Sequence, residues 1–109
     1  MTDAETTFDD GPLHIDFERG EVTVDGKPVA LTSKEYDLLS ELVRQRAVVL
    51  PYERVAELGW EDDPGPAFRT ASKYSVIQLR RKLGWADGAE GAPFEHVAGA
   101  GYQYRSPNS

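Results

Sequence analysis

The chain has 109 residues, of which 39% are hydrophobic and 10% aromatic, so it is long enough for one domain with its own buried core. It has no cysteine, which excludes disulfides and thiolate metal sites, and it has no apolar run near the roughly 18 residues of a membrane-spanning helix. Its 12 Lys and Arg against 19 Asp and Glu give a net charge of −7, which at first argues against a nucleic-acid partner.

The first twelve residues are polar and acidic and end in Gly-Pro, which predicts a tail or linker stub over 1–12. They lack the basic and apolar regions of a signal peptide. A single domain is then expected over 13–105, followed by a short tail over 106–109. An additional edge strand around residues 6–8 is left open.

Apolar and polar residues alternate over 13–17, which predicts a half-buried strand. A second strand is expected over 22–24 and a third over 29–31. Between these two, Asp25-Gly26 is typical of a tight hairpin turn. The first third of the domain is therefore predicted to be a small antiparallel sheet.

Two helices are expected after this sheet. Residues 32–35 read Thr-Ser-Lys-Glu, which is a capping box, and they predict a helix over about 33–45. After a short apolar connector, Pro51 suits the start of a second helix that Gly59 ends.

The third helix is expected over about 67–83, after an acidic loop rich in Pro and Gly, and Gly84 supplies its stop signal. Beyond a loop over 85–93, the segments 94–97 and 102–105 predict a β-hairpin. The residues at helical spacing that should form the buried stripe of the third helix are Ser72, Val76, Leu79 and Leu83.

This order of elements predicts an α+β fold with an N-terminal antiparallel sheet, a three-helix core and a C-terminal hairpin. It is the order of a winged helix-turn-helix, which places one helix in the major groove of DNA. The order therefore makes a DNA-binding domain the leading hypothesis.

The charge is unevenly distributed along the chain. Residues 1–68 have six cations and sixteen carboxylates, a net charge of −10, whereas residues 69–109 have six cations and three carboxylates, a net charge of +3. Five of those cations lie between Arg69 and Leu83, where there is no carboxylate. The strip is either a DNA-binding surface or an ordinary solvated helix face.

On a helical wheel the side of the third helix opposite the stripe carries the candidate DNA contacts. Gln78 suits a bidentate contact with adenine, and Arg80, Arg81 and Lys73 suit phosphates. The other candidates on this helix are Arg69, Thr70, Tyr74, Ser75 and Lys82, together with Ile77, which like Tyr74 could instead pack against a neighbouring segment.

Three stretches resemble, in order and spacing, the motifs of the OmpR/PhoB-type winged-helix domain. They are LTSKEYDLL at 31–39, LRRKLG at 79–84 and VAGAGYQY at 97–104. Together with the predicted strands, the resemblance covers about 13–105.

The resemblance implies a sequence-specific, double-stranded-DNA-binding transcriptional regulator of a two-component system in the cytoplasm. It implies that the helix over 68–83 enters the major groove and that the wing over 94–105 lies near the minor groove. Arg80 matches a backbone-contacting Arg, and Gln78 and Ser75 match base-reading positions, with Lys73 and Tyr74 beside them. The matching wing positions are Gly99, Gly101 and Tyr102, and Trp60 matches the Trp that ends the second helix.

The resemblance also bears on partners. Members of the family often bind direct repeats as tandem dimers and usually carry a receiver domain, so this chain is expected to be an effector domain or a small stand-alone regulator. The loop between the second and third helices is where the family is said to touch RNA polymerase.

Two departures from the family pattern concern DNA contacts. Ala98 stands where the wing normally has a minor-groove Arg, for which His96, Gln103 or Arg105 are the candidate substitutes. The Arg-Thr pair that often opens the third helix falls one residue early, at 69–70.

Other functions receive little support from the sequence. The two histidines, His14 and His96, lie far apart, and no catalytic motif, metal-ligand spacing, phosphate loop or cofactor signature occurs, so neither an enzyme nor a small-molecule substrate is expected. The acidic run 61–63 offers too few ligands for a cation. The alternative is a winged-helix protein-interaction module, with RNA polymerase or a regulator as partner and little DNA binding of its own.

Overall fold

The computed structural model describes residues 6–84 and 94–105. Four short strands come first and form an antiparallel sheet in chain order: β1 (Thr7–Asp10), β2 (Leu13–Asp16), β3 (Glu21–Val24) and β4 (Lys27–Val29). The elements that follow are α1 (Ser33–Arg44), β5 (Leu50–Pro51), α2 (Tyr52–Gly59), α3 (Phe68–Leu83), β6 (Phe94–Val97) and β7 (Gly101–Tyr104).

The three later strands form a second antiparallel sheet in the order β5-β7-β6. This architecture confirms the predicted winged helix-turn-helix. None of the helices within the described residues is long and apolar enough to cross a membrane. The loop expected over 85–93 and the segments 1–5 and 106–109 lie outside the described residues.

The first sheet follows the predicted alternation, because Leu13, Ile15 and Val22 point into the core. Asp25 and Gly26 both have positive φ, as a two-residue hairpin turn with the twist of the flanking strands requires. The third predicted strand was placed too late: it ends at Val29, because the chain must then turn toward the cap of α1.

Residues 7–10 of the expected tail form β1, which pairs with β2, so the edge strand left open around residues 6–8 is present. Two side-chain contacts tie this strand to the wing. The ring of Phe8 packs edge-on against Tyr104, and the Tyr104 hydroxyl donates to Asp10 Oδ2 at 2.8 Å. Burial first, and then Asp10, raise the pKa of Tyr104, so the phenol stays a donor.

The capping box of α1 is formed as predicted. Thr32 Oγ1 accepts the Glu35 amide at 3.2 Å, and Glu35 Oε1 accepts the Thr32 amide at 2.9 Å. The capping box fixes where α1 begins and therefore which residues form its buried face. That face fills the centre of the core with Leu38, Leu39, Leu42 and Val43.

Strand β5 was not expected, because residues 48–50 were interpreted as a connector. Leu50 pairs with Tyr102 and Pro51 with Gly101, which fastens the wing to the start of α2. Gly101 makes this possible: a Cβ there would lie 1.8 Å from the Leu50 carbonyl oxygen.

Helices α2 and α3 approach closely at Gly59. A Cβ on Gly59 would lie 2.9 Å from Leu38 Cδ2 and 2.9 Å from Ser75 Cβ, closer than real contacts allow. The bare glycine therefore sets how near α3 can come to α2.

We expect Gly59→Ala to lower the free energy of unfolding by about 1–3 kcal/mol, because the new methyl group overpacks this contact. Gly→Ala at an ordinary helical position stabilises instead, by about 1 kcal/mol. Urea unfolding measures the difference.

The Ser75→Gly background is the control, because it removes Ser75 Cβ and Oγ, two of the three atoms nearest to the new methyl group. Gly59→Ala should cost less there than in the wild-type chain. An unchanged or raised stability of Gly59→Ala in the wild-type background would contradict the packing argument.

Candidate nucleic-acid interface

The helix α3 begins after breakers and ends at a glycine. A 3-10 turn over Gly65–Ala67 leads into it, and Gly84 adopts a left-handed conformation at its end, with an amide that bonds to the last carbonyls. Its buried residues are Ala71, Ser72, Ser75, Val76, Leu79 and Leu83, which include the whole predicted stripe.

Ser75 was wrongly expected to face DNA. It is 3% exposed, its Oγ has no hydrogen-bond partner, and it packs against Gly59. The wheel placed Ser75 on a flank of the outward side, but the close approach of α2 covers this side chain.

The opposite side of α3 is open. Tyr74 is 49% exposed and Ile77 is half-buried beside it. The other predicted candidates that are exposed on this helix are Arg69, Thr70, Lys73, Gln78, Arg81 and Lys82. Among the residues the structure describes, no carboxylate pairs with Lys73 or Arg81.

Two of the predicted DNA-binding cations on α3 make hydrogen bonds to other elements of the domain. Arg80 is half-buried, and its Nη2 donates to the Phe94 carbonyl at 2.7 Å, which joins α3 to the first strand of the wing. Lys82 Nζ donates to Glu35 Oε1 at 2.8 Å, which joins the end of α3 to the cap of α1. Both side chains therefore hold α3 in place.

Glu35 is buried, and its environment perturbs its acidity. Burial alone would raise the pKa of Glu35, but the hydrogen bonds from Lys82 and the Thr32 amide and the charge of Lys82 outweigh it. The pKa therefore lies below its ordinary value, and the ionised carboxylate stabilises the fold.

The wing is a hairpin with a tight turn. The Ala100 amide bonds to the Val97 carbonyl at 2.9 Å, and Gly99 has a φ of 80°. The turn residues 98–100 are exposed and uncharged. Gly101 and Tyr102, which were expected to contact DNA, are largely buried at the base of the wing.

The side chains expected to replace the missing wing Arg have other partners. Gln103 Nε2 donates to the Arg46 carbonyl at 3.0 Å, and Arg105 pairs with Glu95 at 2.9 Å. His96 is exposed, but its Nε2 lies 2.6 Å from the Tyr52 hydroxyl. The wing tip is therefore neutral.

A groove of 250 Å³ separates the start of α3 from the wing. Apart from Thr70, its lining consists of two cations and three aromatic rings: Arg69, Lys73, Tyr52, His96 and Tyr102. The sequence did not single out Tyr52, because its partner His96 lies 44 residues away and no local pattern connects the two.

The other edge of α3 is acidic. Gln78 lines a 270 Å³ cavity with Glu35, Trp60, Glu61 and Asp62. Next to it, a 420 Å³ cavity under the loop between α2 and α3 has Trp60 and Phe68 among carboxylates. Within the described residues, no group of three or more potential metal ligands comes together.

Comparison with known sequences relates this chain to regulators of transcription. The family described as "Transcriptional regulatory protein, C terminal" matches residues 26–104. The two-component response regulator PhoP of Pseudomonas aeruginosa is 36% identical over 102 residues, covering 92% of this chain and 43% of that protein. The transcriptional regulatory protein CutR of Streptomyces coelicolor is 35% identical over 91 residues, covering 84% and 39%. The chain thus spans less than half the length of these relatives.

Solved structures give the same relation. The DNA-binding domain of CpxR from E. coli is similar with a TM-score of 0.69 at 30% identity, covering 94% of this chain and 98% of that one. The response regulator DrrB of Thermotoga maritima, an OmpR/PhoB homolog, has a TM-score of 0.78 at 24% identity, covering 94% and 45%. Because DrrB is only 24% identical, its similarity supports the fold and not the function.

We expect the stability lost in Glu35→Gln to depend on pH. The folded pKa of Glu35 is depressed, so its contribution is fully present above the unfolded pKa of about 4.3 and disappears as the pH falls through the folded value. Urea unfolding at pH 7 should show a loss of about 1 kcal/mol, and this loss should shrink as the pH falls below the unfolded pKa.

The matched control is Glu53→Gln, which changes an exposed carboxylate on α2. Its effect should vary little with pH. A Glu35→Gln loss that is equally large near pH 3 would contradict the role of the ionised carboxylate.

Proposed function

The chain belongs to the OmpR/PhoB-type family of transcriptional regulatory protein C-terminal domains, and on this premise we propose that it binds double-stranded DNA sequence-specifically through α3. The members of this family are DNA-binding domains of transcription regulators, and the family is not a class of enzymes. The exposed strip of α3, with Lys73 and Arg81 around Tyr74, is the observation that carries the proposal.

An α-helix fits the roughly 12 Å width of the major groove, and α3 offers it one free side. Lys73 and Arg81 have no carboxylate partner among the described residues, so they can neutralise phosphates without breaking an ion pair. Thr70 and Tyr74 lie on the same side and supply a hydroxyl and a ring for base edges.

Gln78 is the proposed base-reading residue. Its exposed amide has the donor and acceptor that adenine N7 and N6 require. The carboxylates next to it, Glu61 and Asp62, repel phosphates, so we place Gln78 over the bases rather than along the backbone.

The wing near the minor groove contributes little charge to the proposed complex. Its turn residues 98–100 are neutral, and Arg105 is paired with Glu95. A single copy therefore binds with few cations, and we propose that two copies bind tandem repeats side by side.

RNA polymerase is the proposed protein partner. The cavity under the α2–α3 loop combines the rings of Trp60 and Phe68 with carboxylates, which suits a partner with basic and apolar side chains. The same feature supports the second candidate function, a protein-interaction module with little DNA binding. For both candidate functions we propose that the protein acts in the cytoplasm. We also propose that the whole protein has a receiver domain in addition to this domain.

The first test measures binding to a duplex selected from a random library, at several salt concentrations. We expect Lys73→Ala and Arg81→Ala each to reduce the slope of log K against log salt by about 0.9 and to weaken binding to selected and random duplexes alike.

Lys27→Ala is the control, since Lys27 is an exposed cation on β4, in the sheet that precedes α1. It should leave the slope unchanged. If the wild-type chain binds no duplex even at low salt, the DNA-binding proposal fails and the protein-interaction candidate takes its place.

The second test concerns Gln78. We expect Gln78→Ala to lose preference at one base pair, by about 1–3 kcal/mol, because the bidentate contact disappears. Competition with single-base variants of the selected duplex measures this.

Gln45→Ala, which removes an exposed glutamine at the end of α1, should leave every preference intact. An equal loss on all duplexes in Gln78→Ala would rule out base reading by Gln78.

A further inference from the structure

One hydroxyl group connects the start of α2 with the tip of the wing. Tyr52 Oη lies 2.6 Å from His96 Nε2 and accepts the Gly99 amide at 3.1 Å. Tyr52 is the first residue of α2, His96 belongs to β6, and Gly99 is the middle residue of the wing turn. Three separate parts of the chain therefore meet at this oxygen.

Ring contacts hold the hydroxyl where it is. Tyr102 packs edge-on against Tyr52 at 5.9 Å between centroids and stacks with His96 at 4.9 Å. The Arg69 guanidinium of α3 lies 5.1 Å from the centre of the Tyr52 ring. The tyrosine thus contacts both α3 and the wing.

The hydrogen bonds at this hydroxyl are complementary. A phenol has one proton to donate and lone pairs to accept with. It accepts from the Gly99 amide and donates to His96 when that imidazole nitrogen carries no proton. His96 thereby orients the hydroxyl toward the turn.

The position of the wing tip matters here because the tip has no charge. Ala98 and Ala100 offer no cation and no hydrogen-bonding side chain, so only the shape and backbone of the turn can meet a DNA groove. A contact of that kind depends on position far more than an Arg on a long, flexible side chain does.

We propose that Tyr52 is a positioning residue of the DNA-binding surface: its hydroxyl, oriented by His96, holds the Gly99 amide and fixes the wing tip relative to α3. The effect of Tyr52 on DNA affinity rests on the proposed function. The hydrogen bond by which Tyr52 fixes the wing does not depend on DNA binding.

The first experiment measures the exchange of the Gly99 amide with water by NMR in the full chain without DNA. We expect Tyr52→Phe to raise the exchange rate about 3- to 10-fold, because it keeps the ring and loses the acceptor. His96→Leu should give a smaller rise, and His96→Gln, which restores an acceptor near the position of Nε2, should give a rate close to wild type.

The matched control is Tyr36→Phe, which removes a hydroxyl from a half-buried tyrosine of α1 and should leave Gly99 unchanged. Thermal unfolding establishes that each variant is folded. Should Tyr52→Phe fail to fold, the comparison of His96→Leu with His96→Gln carries the test, because His96 is exposed.

The second experiment measures DNA binding with the selected duplex. Tyr52→Phe should weaken affinity about 3- to 10-fold at an unchanged salt slope, since no cation is removed. In footprints, protection by the wing should fade while protection by α3 persists. The Tyr52→Phe, His96→Leu double variant should be no weaker than Tyr52→Phe alone.

A wild-type exchange rate at Gly99 in Tyr52→Phe would overturn the proposal, whatever the DNA results. Faster exchange with an unchanged affinity and footprint would overturn it as well, because the wing position would then have no effect on binding. If the wild-type chain binds no DNA, the proposed function fails, and the exchange rates alone decide whether Tyr52 holds the wing.

Discussion

The absence of a side chain at Gly59 is the constraint on which the arrangement of the site depends. It lets α2 approach α3 so closely that a Cβ atom added at residue 59 would collide with Ser75 Cβ. The first half of the buried side of α3 has small residues, namely Ala71, Ser72 and Ser75. Because that side is fully used by the domain, the side that carries Tyr74 is the one left for a partner.

The same geometry divides the cations of the second half of the chain into two groups. Arg80 and Lys82 flank the exposed strip, and both bond to other elements, the first to β6 and the second to α1. They fix α3 from opposite edges. Arg105 pairs with Glu95. Arg69, Lys73 and Arg81 remain for phosphates, so the available positive charge is smaller than the count of basic residues suggests. With a net charge of −7 on the whole chain, we expect weak non-specific attraction to DNA, so in the proposed complex discrimination comes from contacts at the bases.

Features that depend on neighbouring residues could be predicted from the sequence. The capping box at 32–35, the Asp25-Gly26 turn and the buried stripe of α3 each follow from a pattern within one or two turns of chain. The strand β5 could not be predicted, because Leu50 and Pro51 acquire their role only from β7, some fifty residues later.

The errors at the site have the same origin. A helical wheel gives the direction of Ser75 but not the distance of α2, which Gly59 alone decides. Likewise, β1 belongs to the domain because Phe8 and Asp10 meet Tyr104, a contact across almost the whole chain. Tyr52 was not singled out, and His96 was considered only as a substitute for the missing wing Arg, because no local pattern shows that the fold brings the two side chains to 2.6 Å.

The two edges of α3 differ in charge, and this difference orients the domain in the proposed complex. Arg69 and Lys73 border the groove beside the wing, whereas Glu61 and Asp62 border the cavity beside Gln78. Phosphates are attracted to the first edge and repelled from the second, so the DNA backbone runs along the wing side. The acidic edge then faces away from the strand that the cations hold. The cavity under the α2–α3 loop, which Gln78 does not line, is the part of the acidic side that we propose a protein partner uses while DNA is bound.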